Sequence, residues 1–519
     1  MSVRRQPGAI QRRTFLQGTA LAGSAALLVP GLLAGRARAG GPKRGGHLVL
    51  ALDGASATDS LDPATYTATY MQTVGYQWGN CLVEIDEKVR PVPELAESWE
   101  PSPDATTWVF KIRRGVTFHN GKELDAEDVV YSIDHHRGED SKSGAKGYLT
   151  MIRAVRATDK YEVTFELDSP YADLPYVLSD YHLLIVPKGT DFARPIGTGP
   201  FVIREFEPGV RTYAERNPNY WKEGRGWADS VETLAINDPT ARIAALQAGQ
   251  AHFVNNPDPK TAKLLARAPG VKLIDVPGAG HRTFAMRTDT PPFDDNHLRL
   301  ALKWGIDRRE ILEKVLNGFG RVGNDQPIPD FDPFFNAELP QRTFDPEKAA
   351  FHWKKADVTG RIPLHVADAA WTGAVDAAQL YREHLAKAGI ELEVIREPND
   401  GYWSNVWMKK PFVGSYWGGR PTADLMLSVA YRSDAPWNET FWKRPEFDAL
   451  LDRARGELDP EKRRELYWEA QRMIWQEGGE VIPVFNNHLY GARDDIDGFV
   501  AVPVLTGLRA AEQLYFTDL

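Results

Sequence analysis

Three observations predict a mixed α/β (α+β) fold of more than one domain. Helix start signals and short strand-like runs follow one another without the strict alternation of a doubly wound sheet. The chain has 519 residues, 42% of them hydrophobic, enough to bury large cores. Its 36 prolines and 44 glycines are spread as turn punctuation rather than gathered into a linker or low-complexity tract.

The first 39 residues are set apart by charge. They hold six arginines and no acidic residue, with Arg12-Arg13-Thr14-Phe15-Leu16 ahead of the weakly apolar run Thr19–Leu33 and Ala37-Arg38-Ala39. A basic segment, an apolar segment and an A-x-A site describe an exported leader, and paired arginines before Phe-Leu point to the twin-arginine export machinery. A retained anchor is the other reading that a segment of roughly 20 residues allows. With no cysteine at the cleavage site, a lipid anchor is not expected, and the mature chain is predicted to be soluble in a Gram-negative periplasm. Without the leader's six arginines the 62 basic residues fall to 56, against 71 acidic ones. That balance argues against nucleic acid and anionic membrane as partners. Cys81 is the only cysteine, which rules out an internal disulfide or a thiolate metal cluster, and its flanks read as a buried position.

Beyond the leader, alternation predicts strands at His47–Leu52, Leu82–Ile85 and Thr107–Ile112. Asp125-Ala-Glu-Asp128 is a helix start ahead of Val129–His135. Asp307-Arg-Arg-Glu310 has capping-box spacing before Ile311–Leu316. Asp-Pro at 238–239, 345–346 and 459–460 puts an N-cap aspartate before a first-turn proline. Between these, Ile196-Gly-Thr-Gly-Pro200 leads into Phe201–Ile203. Glu207-Pro208-Gly209 turns the chain back through Arg211–Arg216, and Asn217-Pro218-Asn219 closes a half-buried hairpin before Tyr220-Trp221.

Tyr402–Trp442 carries tryptophans at 403, 407, 417, 437 and 442 among glycines and prolines that exclude a helical stripe. Trp437 and Trp442 are expected in a core, given the apolar area an indole buries. In Tyr416-Trp417-Gly418-Gly419-Arg420 the glycines would let the backbone approach a ligand beside an indole wall. Chemistry is not signalled: there is no G-x-S-x-G, H-E-x-x-H or Walker loop. His135-His136, beside Asp134 and Asp140, point about 100° apart on a helix and do not form an i, i+4 metal pair. No cofactor, metal or catalytic residue is expected.

The blocks at Ile196–Trp221, Asp62-Pro63, Leu82–Ile133, Phe284–Pro329 and Tyr467–Phe485 agree in order with one family. The chain resembles the peptide/nickel-type (family 5) extracellular solute-binding proteins that serve ABC importers, from about residue 45 to the C-terminus. The resemblance implies two lobes joined by two crossing strands, near His281–Arg287 and Val484–Leu489. The first lobe would be 45–281 plus 489–519, with 83–192 as an inserted subdomain, and the second 282–488. Hinge closure around a small-molecule or peptide ligand is the implied motion. The implied partners are permease subunits in the inner membrane, and a monomer is expected.

In peptide-binding members, Trp417–Arg420 resembles a W-x-x-D motif whose acid pairs with the ligand's α-amino group. Here a base replaces the acid, which suits a carboxylate, a phosphate or a sugar oxygen. Arg420 could instead turn out to solvent or pair with Asp424, or Asp424 could supply the missing acid. The inferred crossings add His281, Arg282, Asn486, Asn487 and His488, for which hinge bonding is the equal alternative. The early loop adds Tyr66, Tyr70 and Met71, and the aromatic region adds Trp403, Tyr416, Trp417, Gly418 and Gly419. A peptide or peptide-like solute is the leading expectation. An acidic or sugar-containing solute, such as an opine-like conjugate or an oligosaccharide, is the alternative. A sensor that signals without feeding a permease would need the same closure. A secreted hydrolase is the reading of another class.

Overall fold

The computed structural model describes residues 42–504 and 507–517, so the leader lies outside the described residues. The predicted strands His47–Leu52 and Thr107–Ile112 form with those bounds, and the third forms at Val83–Ile85. The hairpin pairs Phe201–Glu207 with Arg211–Arg216. Its Gly-Thr-Gly turn presses on the end of the helix Thr69–Trp78. A Cβ on Gly197 would lie 2.1 Å from the Trp78 carbonyl oxygen, and one on Gly199 2.4 Å from its carbonyl carbon. The hairpin is thus scaffold, because only glycine permits that approach.

Asp125 and Asp128 close a complete capping box on the helix Ala126–Asp134. Asp238, Asp345 and Asp459 cap the helices Pro239–Gln247, Pro346–Ala356 and Pro460–Glu477, each with proline in the first turn. Asp258-Pro259 does the same for Pro259–Leu265. Each such cap contributes about 1 kcal/mol. Asp307 caps Arg308–Lys314, but the box is not completed. The Glu310 side chain turns to His384 and Lys314 instead of back to Asp307, so tertiary partners outcompete the local bond.

One mixed sheet of eleven strands runs through the chain. From one edge its order is Leu392–Arg396, Ile362–Val366, Phe412–Trp417, Val271–Met286, Glu480–Arg493, Phe253–Asn255, His47–Leu52, Ser230–Ala235, Arg211–Arg216 and Phe201–Glu207. Gly320–Val322 pairs beside this path with Glu480–Arg493. The two longest strands are the centre of the arrangement. Residues 281–286 of the first pair with 412–417, while residues 490–492 of the second pair with 253–255. Each strand therefore leaves one half of the sheet and enters the other, and the two pair with each other along most of their length.

Separate cores sit on the two halves. One gathers Leu48, Tyr70, Trp78, Phe201 and Val231; another gathers Phe284, Leu302, Leu364, Tyr381 and Val413. A four-stranded antiparallel sheet of Ala96–Pro101, Thr107–Ile112, Glu162–Leu167 and Ile152–Asp159 has its own core around Phe110, Val129 and Phe165. A helical layer of Ala423–Ala430, Pro445–Gly456 and Pro460–Glu477 packs around Trp442, Phe447, Tyr467 and Ile474.

Ion pairs tie distant segments together. Arg509 binds both oxygens of Glu94, at 2.8 and 2.9 Å, and reaches Glu512 at 3.0 Å. Lys222 bonds Glu84 and Glu94, each at 2.7 Å. The C-terminal segment is thereby tied to Glu94 and Lys222, while Leu508, Ala510 and Leu514 join the core around Leu48 and Leu50. Asp173 pairs with Arg463 at 2.7 Å, and the Ala172 amide donates to the Arg455 carbonyl, joining the four-stranded unit to the helical layer.

Candidate functional site

The strand pairing is broken where the two long strands pass between the halves of the sheet. Pro277 faces Asn487 and His281 faces Phe485, so Gly278-Ala279-Gly280 bulges opposite the single residue Asn486. A Cβ on Gly278 would lie 2.5 Å from the Asn486 carbonyl oxygen. The loop Gly418–Arg420 is tucked onto the same bulge, since a Cβ on Gly419 would meet the Ala279 Cβ at 2.6 Å. Absent side chains at 278, 280 and 419 let three backbone segments converge.

His281 and Arg282 are neighbours on one strand, so their side chains take opposite faces. His281 lies opposite Trp417, and Arg282 opposite Tyr416. His281 is fully buried with both ring nitrogens unpartnered, and burial pushes its pKa down to about 3, so the ring is neutral. Trp417 is buried as well, and its indole donates to Glu439 at 2.8 Å.

On the other face the Arg282 guanidinium lies over Tyr416 at 5.6 Å and over Trp371 at 5.9 Å, and Trp403 stands edge-on to Tyr416. Burial lowers the Arg282 pKa to about 10, and no carboxylate among the described residues pairs with it. Trp403 and Tyr416 are 40% and 45% exposed, which makes this face an open aromatic wall around a cation.

Arg420 is part-buried and curls back on its own loop, donating to the carbonyls of Gly418 at 3.1 Å and Gly419 at 3.2 Å. Burial lowers its pKa, and Tyr181, Tyr148 and Tyr416 are the groups that offset this. Asp424 does not pair with it. That carboxylate is buried against Arg455, 3.3 Å away, and Ser428, so neither expectation linking Asp424 to Arg420 is met. Burial raises the Asp424 pKa despite Arg455.

Asn486, Asn487 and His488 are part-buried. Asn487 bonds Asp275 at 2.7 Å and accepts from Arg321, whose guanidinium also reaches the Gly278 carbonyl. His488 reaches the Pro503 carbonyl, and burial lowers its pKa. These are bonds of the crossing itself.

Tyr66, Tyr70 and Met71 are corrected: all three lie in the core instead of facing a cleft. Tyr66 donates to the Leu61 carbonyl, and Tyr70 to the Thr233 carbonyl at 2.9 Å. Trp437 is also corrected, being 48% exposed where a core position was expected, while Trp442 is buried. Trp371, Arg321, Tyr148 and Tyr181 were missed, because each approaches through long-range pairing that no local pattern signals. Among the described residues no group of three or more His, Cys, Asp or Glu could hold a metal ion, and no helix is long and apolar enough to cross a membrane.

Comparison with known proteins bears on the family and the fold. Residues 90–439 match the model described as bacterial extracellular solute-binding proteins, family 5 middle. The chain is 27% identical over 500 residues to di/tripeptide-binding protein 2 of Pseudomonas aeruginosa, covering 86% of this chain and 92% of that protein. Among solved structures, HbpA2 from Haemophilus parasuis superposes with a TM-score of 0.81 at 23% identity, covering 91% of this chain and all of that one. The periplasmic binding protein DppA from Helicobacter pylori, in complex with the peptide STSA, does so with 0.72 at 22% identity, over 92% and 99%. The fold is the two-lobed one of these binding proteins.

Proposed function

The chain belongs to the bacterial extracellular solute-binding proteins of family 5, and from that premise we propose that it captures a peptide or peptide-like solute between its lobes for an ABC importer. The lobes are taken as 45–281 plus 489–519, with the insert 83–192, and 282–488. The observation that carries the reading is the pair of long strands that continue from one half of the sheet into the other, with a side-chain-poor bulge where they cross. Two adjacent strands with a glycine bulge are a suitable hinge, since a few residues absorb the rotation.

Arg420, which has no acid partner among the described residues, receives a carboxylate of the solute, and the wall of Trp403 and Tyr416 covers its apolar part. The solute is read by its acid end rather than by a free amine. Relatives named for di- and tripeptides favour a peptide as the solute over an opine-like conjugate or an oligosaccharide. They are binding proteins, which also favours capture over hydrolysis. The mature chain is exported through the twin-arginine machinery, works as a periplasmic monomer and hands its ligand to permease subunits in the inner membrane.

Thermal-shift screening of residues 40–519 against di- and tripeptides, amino-acid conjugates, opines and oligosaccharides tests this. At a hundredfold excess over Kd, a ligand adds about 2.7 kcal/mol to folding stability, a clear rise in Tm. Peptides should give the largest rise and be recovered intact. A response confined to sugars, or release of cleaved peptide, contradicts the proposal.

A further inference from the structure

Behind Trp417 lie two carboxyl groups in a place where two charges cannot be accommodated. Glu439 and Glu480 are 2% and 1% exposed, and they come from adjoining segments: a Cβ on Gly479 would lie 2.7 Å from the Thr440 Cβ, and each carboxyl acts on the other. Neither forms an ion pair among the described residues. Lys303, whose charge would favour an ionised Glu480, is itself buried, which pushes its pKa well down, and it donates to the carbonyls of Ile474 and Trp475.

The donors are unequally shared. Glu439 accepts from the indole of Trp417 on one oxygen and from the indole of Trp407 on the other, with the Ser415 hydroxyl also on it. Glu480 accepts from the Tyr431 hydroxyl at 2.5 Å on one oxygen, and its other oxygen has no donor. A buried acceptor without a donor is costly, and so are two like charges in contact. One proton on the orphan oxygen of Glu480, directed at Glu439, removes both costs.

We propose that Glu480 holds a proton at neutral pH and donates it to Glu439, and that this pair positions Trp407 and Trp417 behind the loop Gly418–Arg420. Trp407 packs on the exposed Trp403, and Trp417 on the exposed Trp437, so one carboxylate fixes the indoles that back both. Glu439 and Glu480 are positioning residues. Their importance for binding rests on the proposed solute site, whereas the proton and the indole geometry do not.

The two acids should respond differently to amide substitution. Glu480→Gln keeps a donor toward Glu439 and an acceptor for Tyr431, so near-ultraviolet circular dichroism and acrylamide quenching of tryptophan emission should match the parent. Infrared difference spectra between the two should show loss of a protonated carboxylic acid band. Glu439→Gln has one acceptor oxygen for two indoles and turns its NH2 toward one of them, so the tryptophan signals should change. The double variant Glu439→Gln/Trp407→Phe removes the competing indole and should regain the Trp417 signal. Should Glu439→Gln fail to fold, the infrared comparison still decides. Loss of only a carboxylate band in Glu480→Gln, or unchanged tryptophan signals in Glu439→Gln, overturns the proposal. These measurements need no ligand, so a silent ligand screen would count against the solute site alone.

Discussion

Replacing Arg420 with alanine tests the most specific part of the binding account. Among the described residues its guanidinium donates to two carbonyls of its own loop and pairs with no carboxylate. Alanine should therefore leave unfolding of the free protein nearly unchanged. A ligand carboxylate placed on the remaining N–H groups gains a charged hydrogen bond of about 1.5–3 kcal/mol. Its loss weakens Kd by roughly 10- to 150-fold. Arg420→Lys keeps the charge but not the planar fork and should fall between. Calorimetric titration with the tightest peptide from the screen and with its C-terminal amide gives the readout. The amide should bind the parent weakly and be insensitive to Arg420→Ala. Unchanged affinity for the free acid, or equal losses for acid and amide, would refute the assignment.

Other outcomes follow from the packing. Arg509→Met leaves Glu94 and Glu512 buried with Lys222 as their remaining close cation and should cost about 3–5 kcal/mol in urea unfolding. Gly419→Val pushes a Cβ to 2.6 Å from the Ala279 Cβ; this overpacking, of about 1–3 kcal/mol, should displace the loop and weaken ligand binding in the same titration. Burial, with Asp173 nearby, raises the Asp332 pKa to about 7, against the pull of the Phe334 amide and Arg463. The folded protein thus keeps a proton that the unfolded chain has released. Stability from this group is full below the ordinary aspartate range, is lost as pH rises toward about 7, and levels off above it. Urea midpoints at about pH 5 and about pH 8 should differ less in Asp332→Asn.

Local signals were legible wherever a few adjacent residues decide the structure. Asp-Pro caps, the Asp125 box and the hairpin at 201–216 are set by side chains within four residues of the backbone they serve, and they form as read. The crossing strands were anticipated through resemblance, and the strand pairing agrees with them. What stayed hidden depends on partners far along the chain. Asp424 sits four residues from Arg420, close enough in sequence for an arginine–carboxylate pair, yet Arg455 approaches from another helix and takes the carboxylate. Tyr66 and Tyr70 carry polar tips, but backbone carbonyls meet both hydroxyls inside the core. Trp437 shows the reverse case: an indole rich in apolar area remains exposed because Trp417 and Glu439 close the core behind it.

In the proposed function the two lobes close on a solute about the paired strands Val271–Met286 and Glu480–Arg493. Small-angle X-ray scattering of residues 40–519, with and without saturating peptide, measures this directly. The radius of gyration should fall on binding, with the ligand recovered chemically unchanged. An identical scattering profile at full occupancy would contradict it.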